Sequence, residues 1–213
     1  MTDSRRILFI INPISGLGLG KEVPEHIKKL PEYEHVVYDI EFTEYSGHAR
    51  KLVEDARLSG EYTHIVAVGG DGTVNEVGAA LCGSGIAFAV VSLGSGNGFA
   101  RHLGYSIFMS KALKQVLTEQ YVNIDVLQIN DRYSLNVSGV GFDAEVAHEF
   151  NHQKLRGVFS YIYAALKLWF RYPERKYKII SDGKAMKVSC FILSFANTSQ
   201  YGNNAYIAPH ASV

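Results

Sequence analysis

The sequence predicts an α/β protein: an N-terminal domain with a parallel sheet between two helical layers, followed by a mainly antiparallel β domain. Apolar runs of strand length alternate with helical patterns over residues 1–122, as in parallel sheets covered on both faces. Over residues 123–213 the strand-like runs instead follow one another directly. With 47% hydrophobic residues among 213, the chain can build a packed core.

The elements of the first domain follow from its hydrophobic periodicity. The predicted strands cover residues 6–12, 35–40, 64–68 and 86–92. The predicted helices cover residues 22–30, 47–58, 73–82 and 97–103. Each strand is therefore followed by a helix, which predicts one parallel sheet covered on both faces.

The second half begins with two predicted strands, 121–129 and 132–141, joined by a turn at Asn130-Asp131. A helical region is predicted over 142–170, and a hairpin over 177–181 and 186–196. Residues 205–213 have the pattern of a further strand or turn. We therefore expect the second domain to be truncated at its C-terminus, and the chain to be a piece of a longer enzyme that transfers phosphate weakly or not at all.

Charge and composition exclude several classes of protein. The chain has 21 basic and 21 acidic residues, so it lacks the basic excess that a general nucleic-acid binder needs. The N-terminus has no signal-peptide pattern, and no apolar run reaches the length of a membrane span. We therefore expect a cytoplasmic protein. Its two cysteines, Cys82 and Cys190, give no disulfide framework and are expected to be buried thiols.

Three glycine-containing loops each follow a predicted parallel strand. They are the first loop (Asn-Pro-Ile-Ser-Gly, 12–16), the second loop (Gly-Gly-Asp-Gly-Thr, 69–73) and the third loop (Leu-Gly-Ser-Gly-Asn-Gly, 93–98). Ligands of open α/β sheets bind at these strand ends. Glycines allow backbone N–H groups to approach an anion, and the helix that follows adds its positive end. Each loop alone could be an ordinary turn, but together they predict a nucleotide site.

Asp71 places a carboxylate inside this predicted phosphate site. A carboxylate beside a phosphate repels it unless a cation lies between them, which indicates Mg²⁺ carried by a nucleotide and held by Asp71 directly or through water. A Walker A loop is absent, because Gly20-Lys21 is followed by Glu22. The loose dinucleotide pattern at 139–144 lies in the antiparallel region, where we expect it to be accidental.

The loops, in this order, resemble those of the diacylglycerol kinase catalytic-domain family, which includes bacterial lipid kinases and sphingosine kinases. The Gly-Gly-Asp-Gly-Thr loop also occurs in NAD kinases and phosphofructokinases, whereas the other two loops around it are more specific. The resemblance implies an ATP- and Mg²⁺-dependent kinase that phosphorylates a hydroxyl of a diacylglycerol-like or sphingoid-like lipid. It also implies phospholipid metabolism, with peripheral contact at the inner membrane face, and leaves a homodimer open.

The resemblance further implies which residues form the site. Asp71 is the implied catalytic and Mg²⁺-orienting residue, and Asn97 and Arg101 are candidates on the substrate side. The implied nucleotide-binding residues are Asn12, Pro13, Ile14, Ser15, Gly16, Thr43, Gly70, Asp71, Gly72, Thr73, Val74, Asn75, Glu76 and Ser95.

Three other interpretations remain open at this stage. An NAD-kinase-like phosphotransferase would explain the second loop but not the first or third. His148-Glu149-Phe150-Asn151-His152 has the spacing of a zinc peptidase helix, although its one downstream candidate ligand, Glu174, lies in a predicted turn. The aromatic and basic segment 169–178 could rest on an anionic membrane, or simply end a helix and begin a solvated strand.

Overall fold

A computed structural model describes residues 5–142, 144–146, 169 and 172–213. Its N-terminal part contains a four-stranded parallel sheet in the order β2-β1-β3-β4. The strands are β1 (Arg6–Ile11), β2 (Val37–Phe42), β3 (His64–Gly69) and β4 (Ala87–Ser92). Strands β1 and β3 are the two central strands and are almost entirely buried, as continuous apolar runs require.

Helices cover both faces of this sheet. They are α1 (Val23–Lys28), α2 (His48–Ser59), α3 (Asp71–Leu81), α4 (Gly98–His102) and α5 (Met109–Val116), with 3-10 segments at Ser15–Glu22 and Pro31–Tyr33. Alternate β1 residues face opposite layers: Leu8 and Ile10 pack with α2, α3 and α4, whereas Phe9 packs with α1 and α5. The predicted three-layer α/β fold is therefore confirmed.

The remaining strands form three two-stranded sheets, of which β5–β6 and β8–β9 are antiparallel. They are β5 (Leu127–Ile129), β6 (Arg132–Ser134), β7 (Val137–Gly141), β8 (Arg175–Ser181), β9 (Lys184–Cys190) and β10 (Ile192–Ala196). Strand β5 pairs with β6, β8 with β9, and β7 with β10. Phe142 and Val146 are buried in a small separate core with Tyr172 and Phe191.

Contacts divide the chain into two units: Met1–Val137 with Ala196–Val213, and Ser138–Phe195. This division differs from the predicted boundary at 122/123, because β6, which pairs with β5, packs against α3 of the parallel domain. The side chain of Leu135, next to β6, lies where a Cβ on Gly78 of α3 would be. The C-terminal residues also return to the first unit, where the Asn197 side chain donates to the carbonyls of Asp125 and Leu135.

Several local predictions need correction. The strand predicted over 121–129 is confined to Leu127–Ile129, and the one predicted over 132–141 is interrupted at residues 135–136. Cys82 is exposed and Cys190 is half-buried, so neither is the buried thiol expected from its apolar neighbours. Most of the predicted helical region 142–170, including His148 through His152, lies outside the described residues. Within the described part of the chain, no helix combines the length and the apolar character that crossing a bilayer requires.

Candidate nucleotide and phosphoryl-transfer site

The first loop leaves β1 at its carboxyl end and is fixed by its own asparagine. The Asn12 side chain accepts a hydrogen bond from the Ile14 N–H (3.1 Å) and donates to the Thr73 hydroxyl (3.3 Å). The Ser15 hydroxyl donates to the Asn12 carbonyl at 2.8 Å. Gly16 has a φ of 61°, and a Cβ there would lie 2.9 Å from the Leu93 carbonyl oxygen. The first loop is therefore held against both other loops.

The second loop connects β3 to α3. Gly70 precedes the helix in extended conformation, and its carbonyl accepts the first helical hydrogen bond, from Val74 N–H at 3.0 Å. Thr73 is buried beneath Gly69, where a Cβ would lie 2.7 Å from the threonine hydroxyl. A Cβ on Gly70 would meet only the Gly94 Cα, at 3.5 Å. The backbone of the loop is thus open to a ligand at Gly70, at the positive end of an eleven-residue helix.

Asp71 joins the second loop to the third. Its Oδ2 accepts a hydrogen bond from the Asn97 backbone N–H at 2.8 Å. Asn97 adopts a left-handed φ of 56°, and its side chain donates back to the Gly94 carbonyl at 2.8 Å. A Cβ on Gly94 would lie 2.8 Å from both the Gly70 Cα and the Asn97 Oδ1. Only glycine can therefore bring the two loops this close.

The electrostatics of Asp71 combine two opposing effects. Burial raises the pKa of its carboxyl group above the ordinary value, because the charged form loses hydration. Backbone N–H groups of Asn97, Gly98 and Phe99 act in the opposite direction by hydrogen bonding to the charged form. The carboxylate thus lies at the N-terminal end of α4, where it satisfies backbone donors that begin that helix.

Two buried polar atoms near the third loop have no hydrogen-bond partner among the described residues. They are the Ser92 hydroxyl, at the end of β4, and the Asn97 Oδ1. Buried polar atoms are usually satisfied by protein, water or ligand. One of these atoms lies directly before the third loop and the other within it, so hydrogen-bonding capacity is unused next to the three loops.

Other predicted site residues lie around the loops. The Thr43 backbone N–H donates to the Ile11 carbonyl at 2.9 Å, which places Thr43 beside the start of the first loop. Ser95 is exposed at the tip of the third loop. The Arg101 Nε donates to the Gly96 carbonyl at 3.1 Å, so its guanidinium is attached to the same loop.

The side chains of the first turns of α3 serve the fold. Val74 is buried in the core against the sheet. Asn75 donates to the Tyr133 carbonyl (3.3 Å) and accepts from the Leu135 N–H (2.9 Å). Glu76 accepts from the Arg50 N–H in the first turn of α2 at 3.2 Å. The structure therefore brings the three loops together. The side chains of Val74, Asn75 and Glu76, however, contact the core, the segment after β5 and helix α2 rather than the loops.

Sequence reasoning missed the part of the site that comes from the C-terminal segment. The Asn136 side chain reaches the Asp71 Oδ1 at 3.5 Å and accepts a hydrogen bond from the Thr198 hydroxyl. The Asn203 N–H donates to the Gly96 carbonyl at 3.2 Å, and the Ser199 hydroxyl lies 2.9 Å from the His102 Nδ1. One sequence feature could have indicated this part of the site: a run of four polar residues, 197–200, follows an apolar strand directly. All four are buried in the structure.

The described residues contain no cluster of three or more His, Cys, Asp or Glu side chains that could hold a metal ion. Asp71 is the single carboxylate within the three loops. Mg²⁺ in phosphoryl transfer is typically bound by one or two carboxylates together with substrate phosphates and water. These residues therefore fit an ion carried mainly by the nucleotide.

An open α/β sheet with three convergent glycine loops, one carboxylate and no Walker A loop defines the class: a phosphotransferase. Residues 6–129 match the diacylglycerol kinase catalytic domain, and residues 136–213 match the YegS C-terminal NAD kinase beta sandwich-like domain. The chain belongs to the diacylglycerol kinase catalytic-domain family.

Relatives and solved structures agree with this membership. The chain is 30% identical over 209 residues to "Probable lipid kinase YegS-like" of Citrobacter koseri, covering 94% of this chain and 69% of that protein. It is 28% identical over 222 residues to "Probable lipid kinase YegS" of Escherichia fergusonii, covering 100% and 72%. Two structures from Bacillus anthracis share the fold. One, described as a diacylglycerol kinase, has a TM-score of 0.73 at 24% identity and covers 98% of this chain and 69% of its own. The other, described as a "putative diacylglycerol kinase", has a TM-score of 0.77 at 21% identity; the match covers 99% of this chain and 70% of the other chain.

Proposed function

We propose that this protein is an ATP-dependent lipid kinase that transfers the γ-phosphoryl group to a lipid hydroxyl. The observation that carries the proposal is the convergence of the three loops at the carboxyl edge of the sheet, together with membership of the family. Phosphoryl transfer depends mainly on positioning and charge neutralisation. Backbone donors and one carboxylate are the types of group that this chemistry requires.

In this proposal the ATP phosphates lie over Gly70 and the N-terminal turn of α3. The Gly70 side has no Cβ to block the approach, and the α3 backbone N–H groups point toward the strand ends. Thr43 and Ser95 border this region and would provide hydroxyl groups to the nucleotide. Asn12 and Ser15 would act mainly by holding the first loop in shape, because their side chains bond within the loops.

Asp71 would orient the nucleotide's Mg²⁺, directly or through a water molecule. The ion would neutralise the charge that develops on the phosphates during transfer. Asp71 would also hold the third loop in place through its hydrogen bond with the Asn97 N–H. The same carboxylate would therefore position both the third loop and the nucleotide's ion. Arg101, attached to Gly96, and Asn97 would then border the acceptor side of the γ-phosphate.

The reaction exchanges one phosphorus–oxygen bond for another. The bond between the γ-phosphorus and the bridging β,γ-oxygen breaks, and a bond from the γ-phosphorus to the lipid hydroxyl oxygen forms. The hydroxyl proton leaves to a nearby acceptor. Among the residues of the three loops, Asp71 is the one carboxylate that could receive it. A cytoplasmic enzyme at the inner membrane face would have both ATP and a membrane lipid at hand.

A panel of acceptors tests this proposal and selects the substrate. Purified protein is incubated with γ-labelled ATP and Mg²⁺ and, separately, with diacylglycerol, a sphingoid base, phosphatidylglycerol or NAD. Labelled lipid is expected with at least one of the three lipids, although transfer by this chain is expected to be weak. Label in NAD alone would instead establish the NAD-kinase-like alternative, and label in none of the four would contradict the proposal.

A further inference from the structure

The hairpin formed by β8 and β9 has two unlike faces. One face is partly buried: its residues Tyr177, Ile179, Val188 and Cys190 are half-buried, and its other residues, Arg175, Ser181, Lys184 and Met186, are exposed. The opposite face carries six residues, all exposed, which we call the lysine face: Lys176, Lys178, Ile180, Ala185, Lys187 and Ser189. The pattern follows from strand alternation, because residues two apart point to the same side.

The charges of the lysine face are not balanced within the hairpin. Lys178 lies directly opposite Lys187 in the antiparallel register. Like charges in that position destabilise a strand pair. None of the three lysines forms an ion pair with any residue in the described part of the chain. The repulsion between these lysines destabilises the hairpin on its own, and an anionic partner would remove that repulsion.

Positive charge is also concentrated in the hairpin as a whole, and three of its basic residues, Lys176, Lys178 and Lys187, lie on the lysine face. Residues 174–190 contain five basic residues (Arg175, Lys176, Lys178, Lys184, Lys187) and two acidic ones (Glu174, Asp182), which gives 5 − 2 = +3. The complete chain has a net charge of zero. Both acids lie at the ends of the hairpin, where Glu174 accepts from the Ser189 hydroxyl and Asp182 from the Ser181 hydroxyl.

Trp169 and Tyr172, which precede the hairpin, belong to a separate aromatic cluster. The rings of Trp169 and Tyr172 pack edge-on against Phe142 and Phe191, at 5.3–5.7 Å between ring centroids. The Arg175 guanidinium lies 5.0 Å above the Tyr172 ring and 3.6 Å from Glu145. Among the described residues of that segment, Lys176 and Lys178 are the two basic residues that lie on the lysine face.

The lysine face also has an apolar component. Ile180 is 64% exposed and lies opposite Ala185, between the lysines and the turn of the hairpin. An exposed isoleucine beside long lysine side chains suits a lipid headgroup region, where apolar atoms enter and ammonium groups stay at the phosphates. The face lacks arginines and aromatic rings, which are the usual contacts to nucleic-acid bases.

We propose that the lysine face binds the surface of an anionic lipid bilayer. The inference rests on the proposed function, because an enzyme whose acceptor is a membrane lipid must work at a bilayer surface. Binding would be peripheral and electrostatic, and therefore reversible and weakened by salt.

Vesicle binding tests the proposal without reference to catalysis. The protein is sedimented with vesicles containing phosphatidylglycerol, and separately with vesicles of phosphatidylcholine alone, at low and at high salt. Each lysine near an anionic surface contributes about fivefold in affinity, so Lys178→Gln/Lys187→Gln should weaken binding to anionic vesicles by about 25-fold. The variant should remain folded, because it removes a repulsive cross-strand pair.

The matched control is Lys51→Gln/Lys111→Gln, which removes the same charge from exposed positions on α2 and α5. Its binding to anionic vesicles should equal that of the wild type. Equal losses in the two double variants, or equal binding to both types of vesicle, would overturn the proposal. Binding to a single-stranded DNA oligonucleotide but not to the vesicles would overturn it too and would indicate a nucleic-acid surface.

Kinase activity in neutral detergent micelles separates this proposal from the proposed function. Micelles present the lipid without an anionic surface, so Lys178→Gln/Lys187→Gln should phosphorylate micellar lipid as well as the wild type does. A wild type that binds anionic vesicles but phosphorylates no lipid would contradict the proposed function alone. A wild type that is active in micelles but binds no anionic vesicles would contradict the membrane surface alone.

Discussion

Asp71 is the residue on which both the shape and the charge of the site depend. Its carboxylate accepts a hydrogen bond from the Asn97 N–H and is the one acid among the three glycine loops. Asp71→Asn should therefore reduce phosphoryl transfer by about 100-fold or more, since a metal-orienting carboxylate is worth several kcal/mol in the transition state. The measurement is kcat with saturating Mg-ATP and lipid.

Asp131→Asn serves as the control for this substitution. It makes the same chemical change at an exposed position in the turn between β5 and β6. Its turnover should match that of the wild type. Near-native turnover in Asp71→Asn would remove the carboxylate from the mechanism.

Asp71 also predicts a pH dependence of stability. Because burial raises its pKa, its favourable contribution to folding is complete below the ordinary value of 3.8 and is lost as pH rises through the raised pKa. Asp71→Asn cannot titrate at this position. From about pH 4 to about pH 6, the free energy of unfolding of the wild type should therefore decline relative to that of the variant. Urea unfolding at both pH values measures this difference; an opposite sign would mean that the backbone hydrogen bonds outweigh burial.

Element by element, the sequence predicted the parallel sheet well because β1, β3 and β4 are compact apolar runs, whereas the edge strand β2 alternates apolar and acidic residues. It did not predict α5, because this segment is short and half of its residues are polar. Its apolar residues nevertheless have helical spacing: Met109, Ala112, Leu113 and Val116. The interruption after β6 could not be predicted either. Leu135 and Asn136 leave the strand pattern to meet Asn75 and Asp71, contacts that depend on residues about sixty positions away.

The third loop and the C-terminal segment are packed without room for a side chain at Gly98. A Cβ there would lie 2.6 Å from the Gln200 carbonyl oxygen and 2.7 Å from the Asn136 Nδ2. Gly98→Ala should therefore lower the free energy of unfolding by about 1–3 kcal/mol, the usual cost of overpacking. Urea denaturation measures the change.

Gly72→Ala is the matched comparison in stability. Gly72 is also in the first turn of a helix, but a Cβ there would meet no atom within 4 Å. This substitution should stabilise α3 by up to about 1 kcal/mol, because alanine has the higher helix propensity. Equal effects of the two alanines would show that the C-terminal segment does not pack on Gly98.

On the scale of the whole molecule, fold class and loop positions followed from the sequence, but the composition of the site did not. Local patterns place Gly70 and Gly94 at strand ends, whereas the strand order β2-β1-β3-β4 decides which ends are neighbours. The return of Gly202 to Asn97 of the third loop comes from pairing over about one hundred residues. No periodicity in the sequence encodes such a contact.

Nucleotide binding should stabilise the folded chain as a whole. A ligand that binds only the folded state raises the free energy of unfolding by mass action, by about 2.7 kcal/mol at 100 times its Kd. Mg-ATP should therefore raise the Tm in a concentration-dependent manner. An unchanged Tm at millimolar Mg-ATP, in a sample that unfolds cooperatively, would count against a nucleotide site.

Transfer of label from γ-labelled ATP to a lipid, compared between the wild type and Gly70→Val, tests the central claim most directly. Gly70 has a φ of −87°, which valine tolerates, and its Cβ position makes only an ordinary contact with the Gly94 Cα. The variant should therefore fold, while its side chain occupies the space proposed for the phosphates. We predict labelled lipid with the wild type and a loss of about 100-fold or more with Gly70→Val. Equal transfer by the two proteins, or no transfer by a folded wild type that binds Mg-ATP, would contradict the claim that these loops form the site of a lipid kinase.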